Sequence, residues 1–264
     1  MKVVLLAGGK GTRISEMTGI TPKPMIEVGG MPLLWHIMKL YGYYGLNDFI
    51  ICAGYKQHIV KQWFDNYFLY TSDITFDFSS DKTMTVLNKK SENWKVTIVD
   101  TGEETMTGGR IKRVADYLDD EFLVTYGDGL SDVNIKKLIE THHNSGQLGT
   151  ITIYNPGQRF GIVDFDADGN ITHFREKSNS DGALINIGYM VMNKKVLDYV
   201  KDDMTIFERE PLEKLAQSGQ LHGYKHEGFW QCVDTKRDYD FVNDLWETGD
   251  APWKVCGKSN AKNK

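Results

Sequence analysis

The chain has 264 residues, of which 41% are hydrophobic, 25% charged and 12% aromatic, and its formal net charge is −5 at pH 7. This length can bury a full hydrophobic core, and this composition excludes a disordered polar chain. The acidic balance disfavours a nucleic-acid binder held by phosphate contacts, although a local cluster of cations can still bind a small anion.

The first part of the chain alternates between strand and helix patterns. The apolar run at 2–6 predicts a buried strand, and residues 31–45 predict a helix that stops at Gly45. A second buried strand is predicted at 47–55 and a second helix at 56–68. This order implies a parallel sheet with right-handed crossovers.

The rest of the chain mixes the two patterns. The polar stretch from Leu69 to Thr97 predicts short exposed strands, and the turn sequence DADGN predicts a hairpin within 160–177. Further helices are predicted at 108–118, 134–143, 205–219 and 235–247, and further strands at 121–129, 149–155 and 183–193. The predicted fold is α/β: a Rossmann-like, mixed and mostly parallel sheet flanked by helices, with a smaller antiparallel C-terminal part. We expect one domain over residues 1–255 and a frayed tail at 256–264.

The cysteines and the apolar runs predict the compartment. Cys52, Cys232 and Cys256 are scattered without metal-ligand spacing, which favours reduced thiols. No apolar run approaches the ~18 residues of a membrane helix, and the N-terminal run is too short for a signal peptide. We expect a soluble cytoplasmic protein with no membrane or nucleic-acid partner.

Three glycines directly follow the first predicted strand. Backbone N–H groups at Gly8, Gly9 and Gly11 can approach an anion closely, because no Cβ intervenes. The P-loop pattern fails, since Gly11 is followed by Thr12 instead of lysine. The dinucleotide pattern fails as well, because Ile14 stands where a third glycine belongs, and this argues against a nicotinamide-dependent oxidoreductase.

Two cations accompany these glycines. Thr12 adds a hydroxyl, Arg13 a guanidinium and Lys23 an ammonium, and Pro22 and Pro24 stiffen the backbone around Lys23. A purely structural glycine turn does not require two nearby cations. The loop is therefore predicted to bind phosphate groups.

Further motifs extend the pattern along the chain, in this order: AGGKGTR at 7–13, SEMT at 15–18, TPKPM at 21–25, VDTGEETMTGGRIKRV at 99–114, TYGDG at 125–129, QRFGIVDF at 158–165 and GFWQCVDTKRD at 228–238. Together they resemble the sugar-1-phosphate nucleotidyltransferases, and within that family the glucose-1-phosphate cytidylyltransferase branch, over about residues 1–255. The resemblance implies Mg²⁺-dependent transfer of a cytidylyl group from CTP to glucose 1-phosphate by direct attack on the α-phosphorus. It also implies a nucleotide-binding part up to about residue 130, a sugar-phosphate-binding part from about 131, a homo-oligomer such as a hexamer, and a product used for deoxysugars of the lipopolysaccharide O-antigen.

Two carboxylates at predicted strand ends are implied to be the Mg²⁺ ligands. Asp128 follows a strand and Asp234 precedes a helix, and Mg²⁺ is held by few carboxylates together with phosphate oxygens. Taken alone, Asp128 is equally typical of a hairpin turn and Asp234 of a helix N-cap. Asp132 is a weaker candidate, expected to cap the helix that follows it.

The resemblance also implies which residues contact the nucleotide: Leu6, Ala7, Gly8, Gly9, Gly11, Thr12, Arg13 and Lys23 for the triphosphate, and Thr107, Gly109 and Arg110 for the base. Arg13, Lys23 and Asp128 are the predicted catalytic residues. Arg110 departs from the family stretch and could donate to the cytosine carbonyl, or it could be a solvated helix residue. Glu16 departs from the proline of relatives that use other nucleotides, and both departures favour the cytidylyl branch.

The resemblance places the sugar phosphate against a second group of residues. Lys177 is implied to contact the phosphate, and Glu176 and Asn186 the sugar hydroxyls. Tyr126 and Trp230 are predicted pocket walls, although such aromatics are more often core residues.

Other functions stay open from the sequence. A thymidylyl- or uridylyltransferase would use the same chemistry. A non-catalytic nucleotide-sugar sensor would not need Arg13, Lys23, Asp128 and Asp234 together. The polar insert from about Leu69 to Trp94 is the predicted subunit contact.

Overall fold

The computed structural model describes residues 1–11, 19–79, 83–88, 91–157, 162–165, 171–175 and 183–255, of which 162–165 and 171–175 are described by their backbone alone. The strands are β1 Lys2–Ala7, β2 Glu27–Val28, β3 Met31–Pro32, β4 Asp48–Ala53, β5 Asp73–Asp77, β6 Thr83–Asn88, β7 Lys95–Asp100, β8 Glu121–Tyr126, β9 Gly129–Ser131, β10 Gly149–Tyr154, β11 Ile162–Phe165, β12 Ile171–Arg175, β13 Ile185–Asn193, β14 Leu221–His226 and β15 Trp230–Cys232. The α-helices are α1 Leu33–Tyr43, α2 Gln57–Asp65, α3 Tyr67–Thr71, α4 Thr107–Arg113, α5 Ile135–Ser145, α6 Glu210–Gln217 and α7 Lys236–Glu247. Short 3₁₀ turns lie at Lys23–Met25, Ala115–Tyr117 and Lys194–Tyr199.

Seven strands form the central sheet in the order β14-β10-β13-β8-β1-β4-β7. Strand β1 pairs in parallel with both β4 and β8, and β4 pairs in parallel with β7. Strand β13 runs antiparallel to β8 and β10, while β10 and β14 are parallel. The predicted mixed, mostly parallel sheet is confirmed. From β1 the chain first adds β4 and β7 on one side of β1, and then adds β8 on the other side.

Alternate side chains of β1 supply two cores, because successive residues of a strand face opposite sides of the sheet. Val3 and Leu5 pack in one core with residues of α1, α2, α5 and α7. Val4 and Leu6 pack in the other core with residues of α4 and α6. Helices therefore cover both faces, as the continuous apolar run of β1 predicts for a buried parallel strand.

Two local predictions are wrong. The helix predicted from Thr205 begins at Glu210, with Pro211 in its first turn, where a residue without an N–H is favoured. Asp132 does not cap α5, because Asn134 is the N-cap and its side chain accepts a hydrogen bond from the Lys137 N–H. Oδ1 of Asp132 instead accepts from the Phe229 N–H at 2.6 Å.

The hairpin of β5 and β6 is set apart from the central sheet. The two strands pair only with each other among the described residues, and every residue of β6 is exposed. Strands β11 and β12 pair antiparallel, as the hairpin predicted within 160–177 requires. Its DADGN turn and the predicted tail at 256–264 lie outside the described residues. No helix within the described ranges is long and apolar enough to cross a membrane.

Candidate active site

The carboxyl ends of β1 and β8 are neighbours and define one edge of the sheet. The glycine loop follows β1, and Asp128 comes two residues after β8. The Gly127 N–H donates to the Leu6 carbonyl at 3.0 Å, which joins the two segments. Ligands of open α/β sheets bind at such a crevice, where neighbouring strands lead to opposite sides. Because β8 pairs with β1 and β13, and β9 with β15, the hairpin-turn interpretation of Asp128 is wrong.

A cavity of about 370 Å³ opens at this edge. Eleven of its lining residues were predicted site residues: Leu6, Ala7, Gly8, Gly9, Gly11, Lys23, Thr107, Arg110, Tyr126, Asp128 and Asp234. Four others were not predicted: Pro24, Thr105, Met106 and Gly127. The cavity has the size of a small-molecule site, and its lining combines glycine backbone, cations and carboxylates.

Lys23 lies between two carboxylates inside the cavity. Its Nζ is 2.6 Å from Oδ2 of Asp128 and 2.5 Å from Oδ1 of Asp234. Burial alone would lower the pKa of Lys23, but the charge of Asp128 and these hydrogen bonds raise it above its ordinary value. The side chain, 9% exposed, is therefore a fixed ammonium in the middle of the site.

The donor set around Lys23 also fits a divalent cation. Ligand atoms of Asp128, Cys232 and Asp234 lie within 4.8 Å of one another. Two carboxylates suit a hard cation such as Mg²⁺, whereas burial raises the pKa of the Cys232 thiol and keeps it a neutral neighbour. Asp234 is not the N-cap of α7, because Thr235 holds that position in a capping box with Asp238.

Arg110 lies inside the protein at the wall of the cavity. Its Nη2 donates to the Gly8 carbonyl at 3.0 Å, and its Nη1 donates to Oγ1 of Thr101 at 2.8 Å and the Gly102 carbonyl at 2.7 Å. Only 3% of the residue is exposed, so its interpretation as a solvated helix residue is wrong. These hydrogen bonds use Nη1 and Nη2, so the predicted donation to a cytosine carbonyl would have to come from Nε or replace one of them.

The N-cap and first turn of α4 are held by backbone hydrogen bonds to the segment 203–205. The Met106 N–H donates to the Asp203 carbonyl at 2.8 Å, and the Gly108 and Gly109 N–H groups donate to the Thr205 carbonyl. A Cβ on Gly109 would lie 2.5 Å from the Asp203 carbonyl oxygen. Gly109 does not line the cavity, and close backbone packing explains why this position is a glycine. Its base contact stays a prediction.

A second cavity of about 380 Å³ shares the wall formed by Tyr126. Asn186 and Glu208 also line it, so the structure brings together two of the predicted sugar-side residues, Tyr126 and Asn186. Trp230 lines neither cavity and packs beside Tyr154, with ring centroids 5.9 Å apart. Four predicted residues, Thr12, Arg13, Glu176 and Lys177, lie outside the described residues, as does Glu16.

A family model described as nucleotidyl transferase matches residues 2–247. The chain belongs to the nucleotidyl transferase family. The glucose-1-phosphate cytidylyltransferase of Salmonella typhi is 52% identical over 257 residues, which cover 97% of this chain and 99% of that relative. The probable glucose-1-phosphate cytidylyltransferase of Bacillus subtilis (strain 168) is 45% identical over 257 residues, 97% of this chain and 100% of the relative.

Solved structures agree with the fold of this nucleotidyl transferase. HddC from Yersinia pseudotuberculosis superposes with a TM-score of 0.68 at 24% identity, covering 93% of this chain and 99% of its own. A UDP-glucose pyrophosphorylase complexed with UDP-glucose gives 0.67 at 16% identity, covering 94% and 98%. At these identities the likeness establishes the architecture alone.

Some residues of the candidate site have only weak sequence signals. Cys232 stands two residues before Asp234, and the alternation of strand residues could have placed both on one side of the chain. Gly127 lies next to the predicted Asp128. Glu208, by contrast, lies in a stretch that the periodicity predicts to be helical, so no pattern indicates that it reaches the site.

Proposed function

We propose that the chain transfers the cytidylyl group of CTP to glucose 1-phosphate, giving CDP-glucose and pyrophosphate. The observation that carries the proposal is the single cavity where glycine backbone, the Lys23 ammonium and two carboxylates converge at the ends of β1 and β8. The 52% identity to a glucose-1-phosphate cytidylyltransferase over nearly the whole chain supports the choice of CTP and glucose.

The reaction requires positioning and charge neutralisation more than it requires a covalent nucleophile. An oxygen of the sugar phosphate forms a bond to the α-phosphorus, the bond between the α- and β-phosphates breaks, and pyrophosphate leaves. We assign the triphosphate to the backbone of Gly8, Gly9 and Gly11. Lys23 would neutralise phosphate charge, together with the predicted Arg13.

Asp128 and Asp234 are the proposed holders of Mg²⁺, which supplies charge neutralisation at the phosphates when it is bound. The ammonium of Lys23 now bridges these carboxylates at 2.6 and 2.5 Å. When Asp128 and Asp234 hold the dication, Lys23 would be released from these carboxylates, and we propose that it then binds phosphate beside the glycine loop.

The two sides of Tyr126 are assigned to the two substrates. We propose that the base lies along the cavity wall formed by Thr107 and Arg110, and that the sugar lies beside Asn186. Trp230 remains a prediction as a sugar contact: it lines neither cavity, and within the described part of the chain its buried indole N–H has no hydrogen-bond partner. Glu176 and Lys177 remain predictions for the same substrate.

We propose a homo-oligomer that uses the hairpin of β5 and β6. Phe78 is 73% exposed, Leu87 61%, Phe76 45% and Met84 45%, so a small two-stranded sheet carries a concentration of exposed apolar side chains. Isolated two-stranded hairpins are marginally stable and are stabilised when another surface covers them. A second copy of the chain is the proposed cover.

Light scattering tests this contact. The double variant Phe78→Asp with Leu87→Asp should lower the mass in solution. The control Tyr117→Asp also places a charge at an exposed aromatic position, but outside the hairpin, and should leave the mass unchanged. An oligomer that survives the hairpin variant would refute the contact, and a monomeric wild-type chain would refute the oligomer. The hexameric state, the cytoplasmic location and the use of the product for O-antigen deoxysugars remain predictions from the resemblance.

Pyrophosphate release with glucose 1-phosphate and Mg²⁺, measured in parallel with CTP, UTP and dTTP, tests the activity. We expect turnover with CTP and a loss of about 10²-fold or more in Asp128→Asn. Faster turnover with UTP or dTTP would keep the chemistry and overturn the choice of nucleotide. A chain that binds CDP-glucose but releases no pyrophosphate with any triphosphate would be a sensor.

A further inference from the structure

Glu208 connects the two cavities by a pair of hydrogen bonds. Its Oε2 accepts from the Thr107 hydroxyl at 2.6 Å, and its Oε1 accepts from the Tyr126 hydroxyl. Thr107 lines the first cavity, Glu208 the second, and Tyr126 lines both. One half-buried carboxylate thus ties a residue of the nucleotide side to the residue that separates the two cavities.

The hydrogen bonds of Thr107 define its orientation. Its Oγ1 accepts from the Phe207 N–H at 2.9 Å, which leaves its own hydrogen for Glu208. The residues just before Glu208 hold the same turn, since the carbonyls of Asp203 and Thr205 accept from its backbone. The segment 203–208 therefore holds residues 106–109 in place by hydrogen bonds. Within this segment, Glu208 also contacts strand β8, through the Tyr126 hydroxyl.

Tyr126 is fixed at two points. Its ring packs on the backbone of Gly188, where a Cβ would lie 2.0 Å from the ring, and its hydroxyl is bound by Glu208. Burial raises the pKa of Tyr126, and the nearby Glu208 raises it further, so the phenol keeps its proton and acts as a donor. Asp128 follows two residues later, so the position of Tyr126 affects the strand end that carries the carboxylate.

We propose that Glu208 is a positioning residue that couples the nucleotide-side turn at Thr107 to Tyr126 and the end of β8. In this geometry the carboxylate accepts from both hydroxyls and thereby sets the separation of the two cavity walls. Charged acceptors make stronger hydrogen bonds than neutral ones, and a carboxylate accepts from two donors where an amide oxygen is a single acceptor group. The inference rests on the proposed cytidylyltransferase activity.

A double-mutant cycle tests the coupling. Thr107→Val and Tyr126→Phe are made singly and together, and kcat and KM for CTP are measured for each, with the cycle repeated in the Glu208→Gln background. We expect the double variant to lose less activity than the product of the two single losses, with a coupling of about fivefold or more in kcat/KM. In the Glu208→Gln background we expect the two losses to multiply, because the amide has a single acceptor oxygen and no longer accepts from each hydroxyl on a separate oxygen.

Matched variants separate positioning from folding. Glu208→Gln should raise KM for CTP about tenfold, whereas Glu210→Gln, the same change at a surface ion pair with Lys201, should leave both constants within about twofold. A merely structural role would lower the concentration of active sites and the unfolding temperature without changing KM. If Glu208→Gln does not fold, the cycle in the wild-type background still decides.

Independent losses at Thr107 and Tyr126 in the wild-type background, or an unchanged KM in a folded Glu208→Gln protein, would overturn the inference. A failure of the proposed function has a different result: the wild-type protein releases no pyrophosphate from CTP. In that case the same cycle is measured with CTP affinity from calorimetry in place of KM.

Discussion

The Nζ atom of Lys23 lies 2.6 Å from Oδ2 of Asp128. Asp234 lies on its other side at 2.5 Å, so the ammonium contacts both carboxylates that we propose as Mg²⁺ ligands. If these carboxylates hold the metal as proposed, the lysine would compete with it for them in the substrate-free protein. It also keeps two facing carboxylates from repelling each other.

We predict that Lys23→Met binds Mn²⁺ about tenfold more tightly than the wild-type chain, because the competing positive charge is removed. The same variant should lose about 10²-fold or more in kcat, since it can no longer neutralise phosphate charge. Mn²⁺ binding is followed by electron paramagnetic resonance and turnover by pyrophosphate release. Lys39→Met is the control, because Lys39 pairs with Glu92 outside the cavity. Weaker Mn²⁺ binding in Lys23→Met would contradict the competition.

Asp234→Asn should weaken Mn²⁺ binding by about tenfold or more, because a charged ligand becomes a neutral one. Asp238→Asn is a demanding control, because Asp238 lies only four residues after Asp234. This substitution removes a charge from the α7 capping box and leaves the proposed metal ligands unchanged. We expect that control to lower the free energy of unfolding by about 1 kcal/mol and to leave Mn²⁺ affinity unchanged. Equal effects of the two variants on affinity would exclude Asp234 as a ligand.

Gly8 is required by the guanidinium of Arg110. A Cβ at this position would lie 2.0 Å from Nη1 of Arg110, while nothing lies within 4 Å of a Cβ on Gly9. Gly8→Ala should therefore cost about 2 kcal/mol of unfolding free energy, because the buried guanidinium must move, and Gly9→Ala should cost much less. Urea unfolding measures both. The cost of Gly8→Ala should shrink in an Arg110→Ala background, and an undiminished cost would show that the strain lies elsewhere.

The predicted fold and the observed one agree where a local pattern carries the information. The apolar runs of β1, β4 and β8 mark buried strands, and the rule that parallel strands end at one edge brings the glycine loop beside Asp128. Lys23 could be predicted as a site residue from its proline neighbours. Its contact with Asp234 could not, because 211 residues separate the two in the chain.

The failures share a physical cause, which is that tertiary contacts override local preference. Residues 205–209 have helical spacing, yet the Thr205 carbonyl accepts from two glycine N–H groups in the first turn of α4. Arg110 looks like one more cation of a basic helix end, but it reaches a carbonyl 102 residues away. Asp132 resembles a helix cap and instead binds the N–H of Phe229, 97 residues on.

His36 is a buried neutral imidazole whose hydrogen bonds favour the uncharged form. Its Nε2 lies 2.9 Å from the Val28 carbonyl, and Trp253 Nε1 donates to its Nδ1 at 3.3 Å. Protonation of Nδ1 would bring its N–H to face the N–H of Trp253, so that two donors would meet without an acceptor. Burial, aided by the charge of Lys254 and opposed by the Val28 hydrogen bond, lowers the pKa of His36 to about 4.

This pKa predicts a loss of stability in mild acid. The unfolded chain takes up the proton near pH 6.5 and the folded chain only near pH 4, so stability falls as the pH decreases through this window and stops changing below it. Between pH 7 and pH 5 the loss from His36 should be about 2 kcal/mol. Urea unfolding at the two pH values, compared between the wild-type chain and His36→Gln, isolates this group, because His142 and the carboxylates titrate in both proteins. Equal pH dependence in the two proteins would mean that His36 is not the titrating group.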